Sequence, residues 1–529
     1  MTPALRLPRR RFVLGAGGVA VAAGAGWGAT FLTAYQSRKR SNVGQLSFRN
    51  RLRVPGLLDP RPSADGSRHY TLTLAAGTSH LLPGKRTPTW GANGPYLAPT
   101  LRARRGDRVA VTVRNRLPEA TTLHWHGMLL PAAMDGGPHQ MIDPGADWHP
   151  AWTVHQPAAT LWYHPHPHGS TGTHVYRGVA GMIILDDEHS RRAELPAEYG
   201  VDDVPLVIQD KNFHGDGTLD FTETKLAESV AGVDNLGVLG DTILVNGTYD
   251  PYFTVTTRRV RLRLLNGSNA RVYWLGLTDG RTFHQVATDA GLLARPRALD
   301  RLLLAPGERA EIVVEFEPGE ETVLRSFEPA LDLGFPTERF MGGDDTFDII
   351  ALRAARRLRP SPPLPTRLDG AAAPVEAPAG ARRRHFEFTG LQINHQTMEM
   401  TRVDEVVPAG ATEIWEIERG DEWVHVFHVH GAVFHLLDIN GKQPPAYTRG
   451  PKDTVYLHEF GTHRLAVRFD TLTDPMTPYM YHCHVLRHED QGMMGQFTVV
   501  RPGTEASAPR TLYGNGGGAG GNGDATHHH

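Results

Sequence analysis

One cysteine, Cys483, stands in a chain of 529 residues, so no disulfide can form within it. Neither sign of charge predominates: 55 Lys and Arg face 57 Asp and Glu, a formal net charge of −2. With no basic surplus, no nucleic-acid partner is expected. Long apolar runs are missing beyond residue 32, which argues against a helical bundle. What is abundant is Gly (57) and Pro (39), set as turn residues between short apolar runs. That pattern reads as a β-rich protein with many loops. Its length allows three or four domains, each able to bury its own core.

Since it cannot be a staple, the lone thiol is kept for its chemistry. Cys483 lies between His482 and His484, with His488 and Met493 following. Copper is the metal that accepts thiolate, imidazole and a weak axial thioether together, and this run has the make-up of a blue copper site. The alternative, a small buried hydrophobe flanked by chance histidines, leaves the other ligand types unexplained.

The first residues read as an export signal. Pro8-Arg9-Arg10-Arg11-Phe12-Val13-Leu14 has a twin-arginine pattern and precedes a small, apolar stretch to Leu32. That stretch approaches membrane-spanning length, so an uncleaved anchor is the other reading. Its many Gly and Ala residues favour export, and residues 1–45 are taken as export segment and spacer. The expected location is extracellular, periplasmic or cell-envelope. Residues 503–529 form a Gly-rich tail expected to be disordered, and His527–His529 is set aside as a metal site.

Between these ends the chain divides into an all-β series of three consecutive Greek-key β-sandwich domains. The first covers 46–190, with strands expected at Ser47–Val54 and Tyr70–Ala75. Arg102–Arg116 reads as a hairpin about its Gly-Asp turn, and Gly181–Asp186 closes the unit. The second covers 200–352 and has no H-x-H pair, so it reads as a spacer. A Pro-, Ala- and Arg-rich linker spans 353–383, and the third sandwich covers 384–502.

Random placement of 28 histidines would give roughly one or two H-x-H pairs. Here there are His124-Trp125-His126, His164-Pro165-His166, His428-Val429-His430 and His482-Cys483-His484, with His168 extending the second. In a strand, residues i and i+2 face the same way, so each pair offers two imidazoles in one direction. Cys483 must then point away from His482 and His484, towards a different metal. Two pairs lie in the first unit and two in the third, so the eight imidazoles can meet only at a domain interface. Eight neutral nitrogens suit three coppers with room left for dioxygen.

These runs, HWHG at 124–127, HPH at 164–166, HVFHVHG at 425–431 and HCHVLRHEDQGM at 482–493, resemble those of three-domain bacterial multicopper oxidases of the laccase and cuprous oxidase branch. The resemblance covers nearly the whole chain after the export segment and implies cupredoxin-like sandwiches. It implies four copper ions, one mononuclear blue copper and one trinuclear cluster. His425, Cys483 and His488 would hold the blue copper with Met493 axial, and the thioether suggests a modest potential. His124 and His428 would hold the lone copper of the cluster. His126, His164 and His484 would hold one coupled copper, and His166, His430 and His482 the other. Trp125 and His168 receive no ligand role, and Met494 is read as packing. Where the family usually has Pro, this chain has Val426, a change that leaves the imidazole of His425 in place.

The implied reaction takes one electron at a time from a reductant and reduces one dioxygen to two waters, with Cys483 passing electrons through His482 and His484. Protons are needed as well. Asp135 and Glu489 match the family's acidic positions, although Asp135 also reads as a turn residue before Gly136-Gly137 and Glu489 as a solvated charge. The reductant is either a small aromatic compound or copper(I). Asp421 matches an acidic position of cuprous oxidases. Trp423 replaces the Met common there, and only 12 Met are spread over the chain. Met398 and Met400 alternate as on one strand face and read as packing. An indole offers aromatic substrates a stacking face, which favours a laccase-like enzyme. A copper-free relative with a structural role in the cell envelope is the reading from another class.

Overall fold

The computed structural model describes residues 31–512 except 34, 63–64, 223–235 and 369–373. The twin-arginine motif, most of the apolar stretch after it, the tail from residue 513 and His527–His529 lie outside the described residues. Strands make up 46% of the chain and helices 8%, so the protein is all-β. It forms three consecutive cupredoxin-like Greek-key sandwiches.

In the first sandwich, a sheet built on the long strands Arg68–Ser79 and Arg108–Arg116 faces a three-stranded sheet of Leu101–Arg104, Gly181–Asp186 and Ala159–Tyr163. Alternation drives the packing. Tyr70, Leu72 and Leu74 point inward from one strand, Val109, Val111 and Val113 from its parallel neighbour, and all six are buried. The middle sandwich packs a six-stranded sheet on an eight-stranded one, with a core of Leu, Ile and Val side chains. The third sandwich has two five-stranded sheets, one of which carries Asp474–Cys483, Val426–Val429 and Thr454–Tyr456 side by side. Its core runs on into the other two sandwiches through Ala132, Leu303, Ala305 and Phe340. One continuous apolar mass therefore sets the seam between sandwiches, and the seam is where the histidines lie.

Four expectations are corrected. Residues 503–512 of the expected disordered tail are ordered: Glu505–Ser507 is a short helix, Thr511 bridges to Arg402, and Leu512 is buried against Val403 and Val406. Leu101–Arg104 and Arg108–Arg116 are not a hairpin: the first pairs with Gly181–Asp186, the second with Arg68–Ser79. Gly106, at φ 93°, turns a corner between the two sheets instead of folding one strand back on the other. In the stretch Ser47–Val54, only Asn50–Arg51 is a strand, and it pairs with Pro251–Tyr252 of the middle sandwich. Lastly, the expected linker at 353–383 overlaps the strand Phe347–Arg359 at one end and Arg383–Thr389 at the other. The Arg-rich composition of 353–359 reflects partly exposed strand positions, not a free connector.

Candidate metal centre

The first histidine of each pair lies on a strand or an isolated bridge and the second just beyond it, and register brings pairs together. His124 and His164 face each other across an antiparallel bridge, with hydrogen bonds of 2.8 and 3.1 Å between their backbones. In the third sandwich, His428 lies opposite His482 and Phe427 opposite Cys483. Cross-strand neighbours share a face, so the imidazoles gather on one side and Cys483 with Phe427 on the other. Trp125 likewise turns away from His124 and His126 into the first sandwich, against Trp152 and Tyr163.

Among the described residues four buried groups of imidazole and thiol donors have ligand atoms within 4.8 Å of one another: His124, His428 and His430; His126, His164 and His484; His166, His430 and His482; and His425, Cys483 and His488; a fifth, His126, His428 and Asp453, overlaps them. Sandwiches one and three both contribute to the first three groups. Backbone and carboxylate acceptors decide which nitrogen of each ring is free. His124 Nδ1 donates to the carbonyl of Asp135 at 2.9 Å and His428 Nδ1 to that of Asp453 at 2.8 Å. Their Nε2 atoms are left buried without a partner, as are both nitrogens of His484. Nitrogens also face each other directly: His166 Nε2 is 3.2 Å from His482 Nε2, and His430 Nε2 is 3.3 Å from the same atom. Lone pairs aimed at one another in a dry interior are unfavourable unless a proton or a cation lies between them.

Protonation is disfavoured there. Burial, then neighbouring imidazoles, holds His126, His164, His166, His428 and His482 well below the usual histidine range. Burial brings His430 to about 4 and His484 to about 3. Neutral imidazoles with converging lone pairs fit a soft divalent metal, so the residues present suit copper.

At the separate fourth group, Cys483 Sγ lies 3.6 Å from His425 Nδ1 and 3.5 Å from His488 Nδ1. The Val426 amide donates to the same sulfur at 3.5 Å, a role a proline at 426 would abolish. Burial pushes the thiol up to about 12 in the metal-free protein. Met493 is buried at the turn after His488, its amide bonded to the His488 carbonyl and its carbonyl to the Cys483 amide. On the outer side, His425 Nε2 meets Asp421 Oδ1 at 3.0 Å, and the Trp423 ring lies 5.6 Å from that of His488 at 31°.

Both acidic positions adjoin the imidazoles. Asp135 Oδ2 is 2.7 Å from His430 Nδ1; burial opposes its charge, but His124 and His430 outweigh burial and hold the carboxyl below its ordinary range. Glu489 is buried, not solvated, with its oxygens 3.3 Å from His166 Nδ1 and His482 Nδ1. Burial and then Asp490 push its carboxyl well above the usual range, which favours its protonated form beside two imidazoles. His168 is exposed. Met398 is not on a strand: its amide binds the Gly492 carbonyl in a loop beside Met493.

Asp453, Thr454 and Arg309 were not singled out from sequence, yet Asp453 Oδ1 lies 3.2 Å from His126 Nε2 and Thr454 Oγ1 2.9 Å from it. The signal available was Lys452-Asp453-Thr454 running straight into the apolar Val455-Tyr456-Leu457, a charge pair drawn into a buried strand.

Multicopper oxidase family profiles match residues 73–190 and 362–503. The chain is 34% identical to the multicopper oxidase mco of Staphylococcus aureus over 466 residues, covering 87% of this chain and 95% of that protein. It is 36% identical to the cell division protein FtsP of Escherichia coli, covering 94% of this chain and 99% of that one. Among solved structures, the laccase-like multi-copper oxidase CueO of Ochrobactrum sp., with oxidase activity towards lignin model compounds and lignosulfonate, superposes with a TM-score of 0.74. It shares 35% identity, and the match covers 85% of this chain and all of that one.

Proposed function

This chain belongs to the multicopper oxidases, copper-dependent oxidoreductases that use dioxygen, and on that premise we propose that it is laccase-like. It takes single electrons from phenols and aromatic amines and delivers four to each dioxygen, forming water. Four copper ions are assigned: His425, Cys483, His488 and Met493 would hold a blue copper, and the eight paired histidines would hold a cluster of three. When bound, copper supplies the one-electron steps and the reduction of dioxygen.

The protein's own groups do the rest. Cys483 and the peptide bonds to His482 and His484 connect the two sites along one strand. Asp135 accepts from His430 Nδ1, and Glu489, whose protonated form burial favours, lies beside His166 and His482. These two carboxyl groups are assigned to proton delivery. All eight imidazoles are buried, which keeps bulk water away from them.

The observation that carries the aromatic preference is the Trp423 indole against His488, a flat apolar face at the rim of the blue site. Activity of the Ochrobactrum relative on lignin model compounds supports the same reading. A second reading, oxidation of copper(I), is favoured by Asp421 at His425 Nε2 and by Met398 beside Gly492. The similarity to FtsP raises a structural role in cell division, but a complete buried donor set has no use in a copper-free protein. No helix among the described residues is long and apolar enough to cross a membrane. Export by the twin-arginine route is inferred from residues 8–14, with membrane contact only through export or an uncleaved anchor.

Oxygen uptake measured with a methoxyphenol and with copper(I) tests the preference. The laccase reading expects the higher kcat/KM with the phenol, and expects Trp423→Ala to raise its KM about tenfold while kcat holds. Faster uptake with copper(I), unchanged by Trp423→Ala, contradicts it.

A further inference from the structure

The middle sandwich supplies no histidine to the metal centre and reads from sequence as a spacer, yet Arg309 carries it to the ligands. Arg309 begins the strand Arg309–Glu315 and is fully buried. Its Nη1 and Nη2 fork onto Asp453 Oδ1 and Oδ2, both at 2.6 Å. The remaining donors are also taken: Nε by the Thr160 carbonyl at 3.0 Å, Nη1 by that of Gly307 at 3.1 Å and Nη2 by that of Asp289 at 3.0 Å. All five guanidinium hydrogens have acceptors, and those acceptors come from all three sandwiches. The group has one position available to it.

Asp453 transmits that position to two ligands. Thr454 Oγ1 donates its only hydrogen to Asp453 Oδ1 at 2.7 Å, so towards His126 the hydroxyl can only accept. His126 Nε2 therefore faces two acceptors, the carboxylate and the hydroxyl, and must carry the proton. Its lone pair is confined to Nδ1, the atom 3.4 Å from His164 Nε2. The Asp453 carbonyl fixes the opposite choice in His428, protonated at Nδ1 with Nε2 free. Space is reserved for the bridge: a Cβ on Gly127, next to His126, would lie 2.6 Å from Asp453 Oδ2 and 2.7 Å from Arg309 Nη2. Nearby, Lys452 meets Asp289 at 2.7 Å and Glu308 at 3.1 Å. The buried network thus holds three carboxylates against two cations, a balance that suits cationic neighbours.

We propose that Arg309 and Asp453 are positioning residues of the trinuclear site, through which the middle sandwich sets the tautomers of His126 and His428 before any metal arrives. The proposal rests on the copper assignment made above. Losing such an outer partner weakens metal binding about 10- to 100-fold.

The test is copper per chain, blue absorption and Tm, measured on copper-loaded full-length wild type, Asp453→Asn and Arg309→Lys. In Asp453→Asn an NH2 replaces one of the two oxygens that the Arg309 fork holds, so the side chain either turns that NH2 to His126 Nε2, favouring the wrong tautomer, or keeps its oxygen there and breaks the fork at Nη2. The expected result is an unchanged blue absorption per chain, with copper falling from four to three or fewer. Arg309→Lys, which keeps the charge but not the fork, is expected to fall in the same direction by less. Asp453→Asn protein holding four coppers overturns the proposal. So does parallel loss of blue colour, copper and Tm, which marks a purely structural contact. If Asp453→Asn does not fold, Arg309→Lys decides: full copper refutes, cluster loss with intact blue colour supports. Wild type that binds fewer than four coppers, or is colourless, defeats the underlying assignment instead.

Discussion

Cys483 is fully buried, and burial pushes its thiol up to about 12, so the reactive thiolate is strongly disfavoured near neutral pH. In copper-free native protein it is therefore expected to resist an aromatic disulfide reagent for hours, and to react at one thiol per chain in denaturant. Rapid labelling of the native form contradicts this burial. Replacement by Ser is near-isosteric; Cys483→Ser is expected to lose blue colour and turnover while the metal-free Tm moves by only a few degrees. Retained turnover would break the electron path assigned to this strand. At this scale the ligands were legible because residue type carries the chemistry: a thiol among imidazoles has few other uses. Asp453 was not, because a carboxylate beside a lysine reads as a solvated pair. What makes it a partner of His126 is Arg309, far away in sequence.

The strand period explains why the ligand pairs could be read at all. Residues 124 and 126, or 482 and 484, face one way whatever the sheet order, so spacing alone announced them. Pairing between strands follows no such local rule. The Gly106 turn has the composition of a hairpin, and only the partners of its two flanking strands distinguish it from a corner. Glu489 shows the same limit: its helix, Leu486–Asp490, is short and polar in sequence yet packed into the seam. A test at this scale is Gly127→Ala. The residue has φ 84° and no room for a Cβ beside the Arg309–Asp453 bridge. The substitution is expected to cost on the order of 2 kcal/mol or more in chemical denaturation. A loss below about 0.5 kcal/mol would show that the bridge shifts freely.

In the whole molecule, the centre draws on all three sandwiches and makes stability depend on pH. Seven histidines of the seam have pKa values lowered by burial, with His430 at about 4 and His484 at about 3. In the unfolded chain they titrate near 6.5. Between about 6.5 and 4 the unfolded state binds more protons, so acid favours unfolding. Glu489, Asp289, Glu308, Glu405 and Asp202, raised by burial, act in the opposite sense, but His139, His174, His435, His458 and His463, also lowered by burial, add to the seven. The copper-free Tm is expected to fall as pH is lowered from 7 to 5; a flat or rising Tm contradicts the dry, neutral seam.

All of this depends on imidazoles from the outer sandwiches converging on copper, and anomalous X-ray diffraction at the copper absorption edge reads that directly. The account predicts four peaks in copper-loaded crystals: one at His425, Cys483 and His488, and three among the eight paired histidines. An absence of peaks at these residues, or peaks dispersed over the surface, would contradict it.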